Sequence, residues 1–323
     1  MNQLNLLISF DLPETCVRKI KAVSPNLNVQ QSRDGEEPAR LINRADILFA
    51  GYFSREMFGS ASRLKWIQTH LTGVEGFLYP EVVRSQVIVT NAGGVSSIPI
   101  SEQVMGMMLC LSRKLHVFIG NQLECRWRTG ELELLAQLEE LAGKTVGIVG
   151  LGRIGAEIAK RAKCFEMKVI ATRRRASSQA PSYVDKLVAA ENLNELLAES
   201  DFVVLQLPLT GETRGMFGEH QFRSMKRTAY LINTGRGEVV KEDALIKALK
   251  EGTITGAALD TFAIEPLPKD SPLWGMKNVI ITPHVAGFTP NYLDRLTDLF
   301  CENLKRFIRN EQLINVVDKT LGY

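Results

Sequence analysis

The sequence has no C-x-x-C pair, no long apolar run and no large excess of either charge. Its five cysteines (Cys16, Cys110, Cys125, Cys164, Cys301) are scattered and odd in number. Dispersed thiols of this kind argue against a disulfide framework or a zinc site, so no metal is expected, and they favour a reducing, cytoplasmic setting. The 39 basic and 36 acidic side chains nearly cancel, which leaves no broad field for nucleic acid or a membrane surface. The apolar stretch around Val104–Leu111 is interrupted by Gly106 and bounded by Glu102 and Arg113, too short to span a bilayer. The opening MNQLNLLISFDLPE has no basic segment ahead of its apolar run, unlike a secretory signal. There is no internal repeat and no low-complexity tract. What remains is 45% apolar and 23% charged residues over 323 positions, an ordinary globular composition and enough chain for two domains.

Short β-like runs fill the first part: Leu4–Phe10, Ile47–Gly51, Leu64–Thr69 and Val87–Asn91. They alternate with helical segments, which predicts an α/β unit with a parallel sheet. A long helical stretch follows from about Pro99 to about Asn121, then a second over Glu131–Leu141. From Lys144 strand and helix alternate regularly through KTVGIVG, AEIAKRAKCF, KVIAT, NLNELLAES, DFVVLQLP and AYLINT to NVIITPH. A last helix, NYLDRLTDLFCENLKRFIRN, ends the pattern. This layout predicts a Rossmann-type doubly wound parallel sheet over 98–288, inserted into a flavodoxin-like substrate domain made of 1–97 and 289–323. The two crossings between the domains would form a hinge over a cleft.

Gly150-Leu151-Gly152-Arg153-Ile154-Gly155 follows a strand and opens a helix, the context that gives G-x-G-x-x-G its meaning. The first glycine allows the tight turn, the second lets a pyrophosphate approach the backbone, and the third lets helix and strand pack closely. An NAD site ordinarily places an acid at the end of the next strand, about 20 residues on, to bond the ribose 2′-hydroxyl. Here Arg173 stands 23 residues after Gly150, Arg174 and Arg175 follow it, and no acid lies between Lys168 and Ser182. Forked cationic donors suit a 2′-phosphate, so NADP(H) is the preferred cofactor expected, with NAD(H) possible.

Three further stretches place charged groups at the carboxyl ends of expected strands, where open α/β sheets bind ligands. NTGRGEVV carries Arg236, ALDTFAIEPLP carries Glu265, and ITPHVAG carries His284. With the glycine-rich loop ahead of them, in this order, they resemble the D-isomer-specific 2-hydroxyacid dehydrogenase family over nearly the whole chain. The dinucleotide fingerprint beginning only at residue 150 fits the same family. The departure is Arg173, where many members carry Asp; NADPH-preferring glyoxylate and hydroxypyruvate reductases of the family show a comparable basic turn.

The resemblance implies roles for particular residues. Arg236 would hold the substrate carboxylate and polarise the keto oxygen, as a fork of donors can. His284 would give that oxygen a proton, and Glu265 would orient the ring and stabilise the imidazolium. Asp260 would bond the nicotinamide carboxamide, while Thr172, Pro208 and Thr234 join the glycine loop and arginines in holding the cofactor. THLTGVEG resembles the family loop whose backbone N–H groups, here Leu71, Thr72, Gly73 and Val74, meet the substrate carboxylate. The implied activity is reduction of a small 2-ketoacid to the D-2-hydroxyacid. The alternatives are a 3-phosphoglycerate-type dehydrogenase and a nucleotide-sensing, corepressor-like binding protein. The segments Ile98–Asn121 and Glu131–Leu141 resemble the family's dimerisation region, so a homodimer is expected, with neither nucleic acid nor membrane as partner.

Overall fold

The computed structural model describes residues 3–32, 37–127, 135–174 and 179–322. The chain divides into two compact units, Met1–Val95 with Thr289–Tyr323, and Ser96–Phe288.

The first unit is built on five parallel strands: β1 (Leu4–Ile8), β2 (Leu27–Gln31), β3 (Ile47–Ala50), β4 (Trp66–Thr69) and β5 (Ile88–Thr90). Their order is β2-β1-β3-β4-β5, the flavodoxin-like arrangement. Alternation along the strands assigns side chains to two faces. Leu6, Ile8, Phe49 and Trp66 pack with α1 (Glu14–Lys21) and the last helix, α11 (Tyr292–Ile308). Leu7, Leu48, Ala50 and Ile67 pack on the other face with Ile42, which follows α2 (Glu37–Leu41), Met57 of α3 (Arg55–Ser60) and Val82 of α4 (Pro80–Arg84). In α11, Leu296, Phe300 and Leu304 recur at a spacing of four and are fully buried. The Phe300 ring stacks on Phe49 at 4.2 Å and on Trp66 at 5.1 Å. Removing one such ring typically costs about 3–5 kcal/mol.

The second unit carries seven parallel strands: β6 (Thr145–Val149), β7 (Lys168–Arg173), β8 (Lys186–Ala189), β9 (Phe202–Leu205), β10 (Tyr230–Asn233), β11 (Gly256–Leu259) and β12 (Val279–Ile281). Their order, β12-β11-β10-β9-β6-β7-β8, is the doubly wound order with one strand added. Strands β6, β9, β10 and β11 are buried along their length, as central parallel strands covered on both faces must be. The helix α5 (Ser97–Ser112) covers one face beside α7 (Arg153–Cys164). The helices α8 (Leu193–Glu199), α9 (Glu219–Ser224) and α10 (Glu242–Lys250) cover the other. The α/β class, with one doubly wound and one flavodoxin-like parallel sheet, agrees with the sequence expectation.

Four details depart from it. Strands β2 (LNVQQ) and β8 (KLVA) were not expected; both are sheet edges with a single neighbour. The single helix expected over Pro99–Asn121 is two, α5 and α6 (Leu115–Leu123), because Lys114 takes a left-handed backbone with φ of 53°. That conformation ends a right-handed helix without any Gly or Pro to announce it. Of the helix expected over Glu131–Leu141, residues 131–134 lie outside the described residues and 136–141 are turn and irregular chain.

Candidate active site

The glycine-rich turn stands at the carboxyl end of β6, beside the point where the strand order reverses. Gly150 has a φ of +106°, and a Cβ there would lie 2.4 Å from the Gln206 carbonyl oxygen. A Cβ at Gly155 would lie 2.4 Å from the carbonyl oxygen of Gly150, so helix and turn touch backbone to backbone. At Gly152 a Cβ would meet nothing within 4 Å, which leaves open space before the turn. The start of α7 at Arg153 and Ile154 supplies first-turn N–H groups that have no partner within the helix. These residues therefore fit a dinucleotide pyrophosphate. Thr172 is buried and serves the turn itself: its Oγ1 accepts from Gly150 N at 3.1 Å, and its carbonyl accepts from Leu151 N at 2.8 Å. Arg173 and Arg174 are exposed at the end of β7; Arg175 lies outside the described residues. Pro208, beyond β9, accepts from Thr213 Oγ1 at 2.7 Å, and Thr234 Oγ1 accepts from Gln206 Nε2.

His284 and Glu265 meet. Imidazole Nδ1 lies 2.7 Å from Glu265 Oε2, while Oε1 accepts from Phe262 N at 2.9 Å. The carboxylate is thus fixed on one oxygen by its own loop and turns the other to the ring. His284 has a left-handed backbone, φ 53°, a conformation that costs a residue of this type about 1–3 kcal/mol and persists only where the surroundings fix it. Asp260, 1% exposed, does that fixing. Its carbonyl accepts from His284 N at 2.8 Å, and its carboxylate accepts from Val285 N and Ala286 N, each at 3.0 Å, and from Thr282 Oγ1. Asp260 therefore ties down the loop carrying the imidazole, a role the sequence did not reveal.

Arg236 follows β10 in a turn fastened by buried Asn233, which donates from Nδ2 to the Arg236 carbonyl and accepts from Gly235 N, both at 3.1 Å. Arg236 Nη1 donates to the Gly235 carbonyl at 3.1 Å. Gly237 presses directly on the Glu265 loop: a Cβ there would sit 1.9 Å from the Phe262 carbonyl carbon. Glu242, at the start of α10, accepts from the Ala263 N–H; burial pushes its carboxyl above the ordinary range, and that hydrogen bond works against the rise. Reading the sequence missed Asn233 and Glu242. Asn just before a Gly-containing turn is a signal for the first; nothing local signals the second.

The expected substrate loop, Leu71 to Val74, belongs to the first unit. In the loop after β4, Leu71 and Thr72 are exposed and Val74 is buried. Its carbonyls are engaged: Leu71 O accepts from Thr69 Oγ1 at 2.7 Å and Ala92 N at 3.0 Å, and Thr72 O accepts from Asn91 Nδ2 at 3.0 Å. Among the described residues the N–H groups of Leu71, Thr72, Gly73 and Val74 meet no acceptor. Such a run of amides suits an anion. His70 has its Nδ1 3.0 Å from the Ala50 carbonyl, and burial pulls it below the ordinary imidazole value. Phe53 is core, whereas Tyr52, Trp127 and Phe288 are exposed. Among the described residues no group of His, Cys, Asp and Glu is arranged to hold a metal, and no helix is long and apolar enough to cross a membrane.

Comparison with known proteins follows the same lines. Residues 105–286 match the family model described as D-isomer specific 2-hydroxyacid dehydrogenase, NAD binding domain. A glyoxylate reductase of Korarchaeum cryptofilum is 37% identical over 266 residues, 82% of this chain and 79% of that protein. A D-3-phosphoglycerate dehydrogenase of Methanocaldococcus jannaschii is 34% identical over 325 residues, covering 98% of this chain and 59% of that one. The crystal structure of a D-isomer specific 2-hydroxyacid dehydrogenase from Xanthobacter autotrophicus Py2, in complex with NADPH and MES, is similar with a TM-score of 0.84 at 30% identity, covering 98% and 99% of the two chains.

Proposed function

The chain belongs to the D-isomer specific 2-hydroxyacid dehydrogenase family of NAD(P)-dependent oxidoreductases, and on that footing we propose that it reduces a small 2-ketoacid of the glyoxylate or hydroxypyruvate kind to the D-2-hydroxyacid, with NADPH preferred. The observation that carries the reading is the His284–Glu265 pair at 2.7 Å, on loops at the carboxyl ends of adjacent strands β11 and β12.

The glycine turn, the start of α7, Pro208 and Thr234 hold the dinucleotide, and bound there its reduced nicotinamide supplies hydride to the keto carbon. Arg236 forks onto the substrate carboxylate and polarises the keto oxygen, whose growing negative charge it stabilises. In the first unit, the N–H groups of Leu71 to Val74 suit a substrate carboxylate. With Nδ1 given to Glu265, His284 has Nε2 left to pass a proton to the keto oxygen, and Glu265 balances the charge on the ring. Asp260 keeps the imidazole loop in place, and its carboxylate also takes the nicotinamide carboxamide. Arg173 and Arg174 take the 2′-phosphate; their exposure and the missing acid support NADPH. A homodimer is supported by α6 and the chain after it, where Leu115, Ile119, Leu123 and Trp127 expose apolar surface.

The test is a steady-state panel of glyoxylate, hydroxypyruvate and larger 2-ketoacids with each reduced cofactor. Glyoxylate or hydroxypyruvate with NADPH should give the highest kcat/KM. Preference for NADH would overturn the cofactor assignment. Activity confined to 3-phosphoglycerate oxidation would replace the substrate, and no turnover at all would favour a nucleotide-sensing binding protein.

A further inference from the structure

The sheet order sets β6, with its glycine turn, between β7 and β9. Arg174 lies just past the end of β7, and Glu212 lies in the connection that follows β9. Arg174 Nη2 is 3.3 Å from Glu212 Oε2 and 3.5 Å from Oε1. The ion pair thus links the loops on either side of the glycine turn, at the end of the sheet where the dinucleotide is held.

Glu212 is presented on a fixed turn. Thr210 N donates to Thr213 Oγ1 at 2.8 Å, Thr213 N donates to Thr210 Oγ1 at 3.2 Å, and Arg214 N donates to the Thr210 carbonyl at 3.0 Å. Both ends of the pair are open to water, with side chains 49% and 76% exposed. An exposed pair of this kind adds little to folding and is readily exchanged for another partner. A carboxylate and a phosphate ask for the same thing from a guanidinium, two parallel N–H donors, and one fork serves them in turn.

We propose that Glu212 tunes nucleotide selectivity: it is the resident counter-charge that a 2′-phosphate must displace from Arg174. NADH brings no phosphate to that position and leaves the pair intact, whereas NADPH must break it. Glu212 therefore holds the preference for NADPH below what the arginines alone would give. The inference rests on the assignment of Arg173 and Arg174 to the 2′-phosphate.

Fluorescence titration of the full-length protein with NADPH and NADH, without ketoacid, tests it. Glu212→Gln should tighten NADPH binding by about two- to fivefold and leave NADH unchanged. The gain should shrink as salt is raised towards about 1 M, where charge interactions are screened within about 3 Å. In an Arg174→Ala background, Glu212→Gln should have no further effect, because the two side chains act through one contact. If Arg174→Ala weakens NADPH but Glu212→Gln leaves the NADPH-to-NADH ratio of Kd unchanged, the role of Glu212 is overturned and the phosphate assignment stands. If Arg174→Ala does not weaken NADPH, the phosphate assignment falls and the inference with it.

Discussion

His284 is an imidazole held by two acids with different tasks. Glu265 meets the ring and Asp260 meets the backbone that presents it. Replacing His284 with Ala should lower kcat for ketoacid reduction by about two orders of magnitude or more, the usual worth of a placed proton donor. Dinucleotide affinity measured by titration should not change. Unaltered turnover would remove the imidazole from the chemistry. At this scale the sequence was informative where chemistry and local signal coincide: Arg236, Glu265 and His284 each follow a strand in a distinctive loop. It was silent where a role depends on a distant partner. Asp260 reads locally as a strand-end acid, and only the folded chain brings Thr282, Val285 and Ala286 onto its carboxylate. Glu242 likewise reads as the first acid of a helix, a common placement that predicts nothing about Ala263.

Among the elements, the turns at the carboxyl ends of the strands use glycine in two distinct ways. Gly237 makes room for backbone, whereas Gly152 faces open space. Gly237→Ala must push the Arg236 turn away from the Glu265 loop, so it should lower the melting temperature, by an overpacking cost of about 1–3 kcal/mol, and depress kcat/KM. Gly152→Ala should melt like the parent and lose dinucleotide affinity instead. Thermal melts and cofactor titrations of both variants check the contrast; equal melting losses would refute it. The elements that the sequence concealed share a physical reason. Strands β2 and β8 are edges paired on one side only and partly solvated: LNVQQ carries only two apolar residues, Leu27 and Val29, and KLVA opens on Lys186 and lacks the unbroken burial of a central strand. The break between α5 and α6 falls at Lys114, buried with Nζ 2.9 Å from the Tyr230 hydroxyl. That contact across the unit, not a local breaker, accompanies the left-handed residue. Central strands such as FVVL and YLIN were legible because burial on both faces demands an unbroken apolar run.

For the whole molecule, net charge is small, and the acid response depends on individual buried carboxylates. Asp46, 1% exposed at the start of β3, accepts from Asn5 N at 3.1 Å and Lys65 Nζ at 3.2 Å, with Arg63 Nη2 at 3.5 Å. Burial alone would raise its pKa, but the Asn5 N–H and the two cations outweigh it and hold the carboxyl below the usual carboxylate range. A depressed folded value means stability fully present above the unfolded value of about 3.9 and lost as pH falls through the folded one. Asp46→Asn should cost about 1–3 kcal/mol at neutral pH. Its deficit against the parent should narrow as pH is lowered from 5 to about 3 in urea unfolding. A deficit of constant size would mean that shape and not charge matters there. The first unit also draws on both ends of the chain, with Phe300 supplying the ring that lies on Phe49 and Trp66. During synthesis those two rings must therefore wait until residue 300 has been made, by which point every strand of the seven-stranded sheet has already been synthesised.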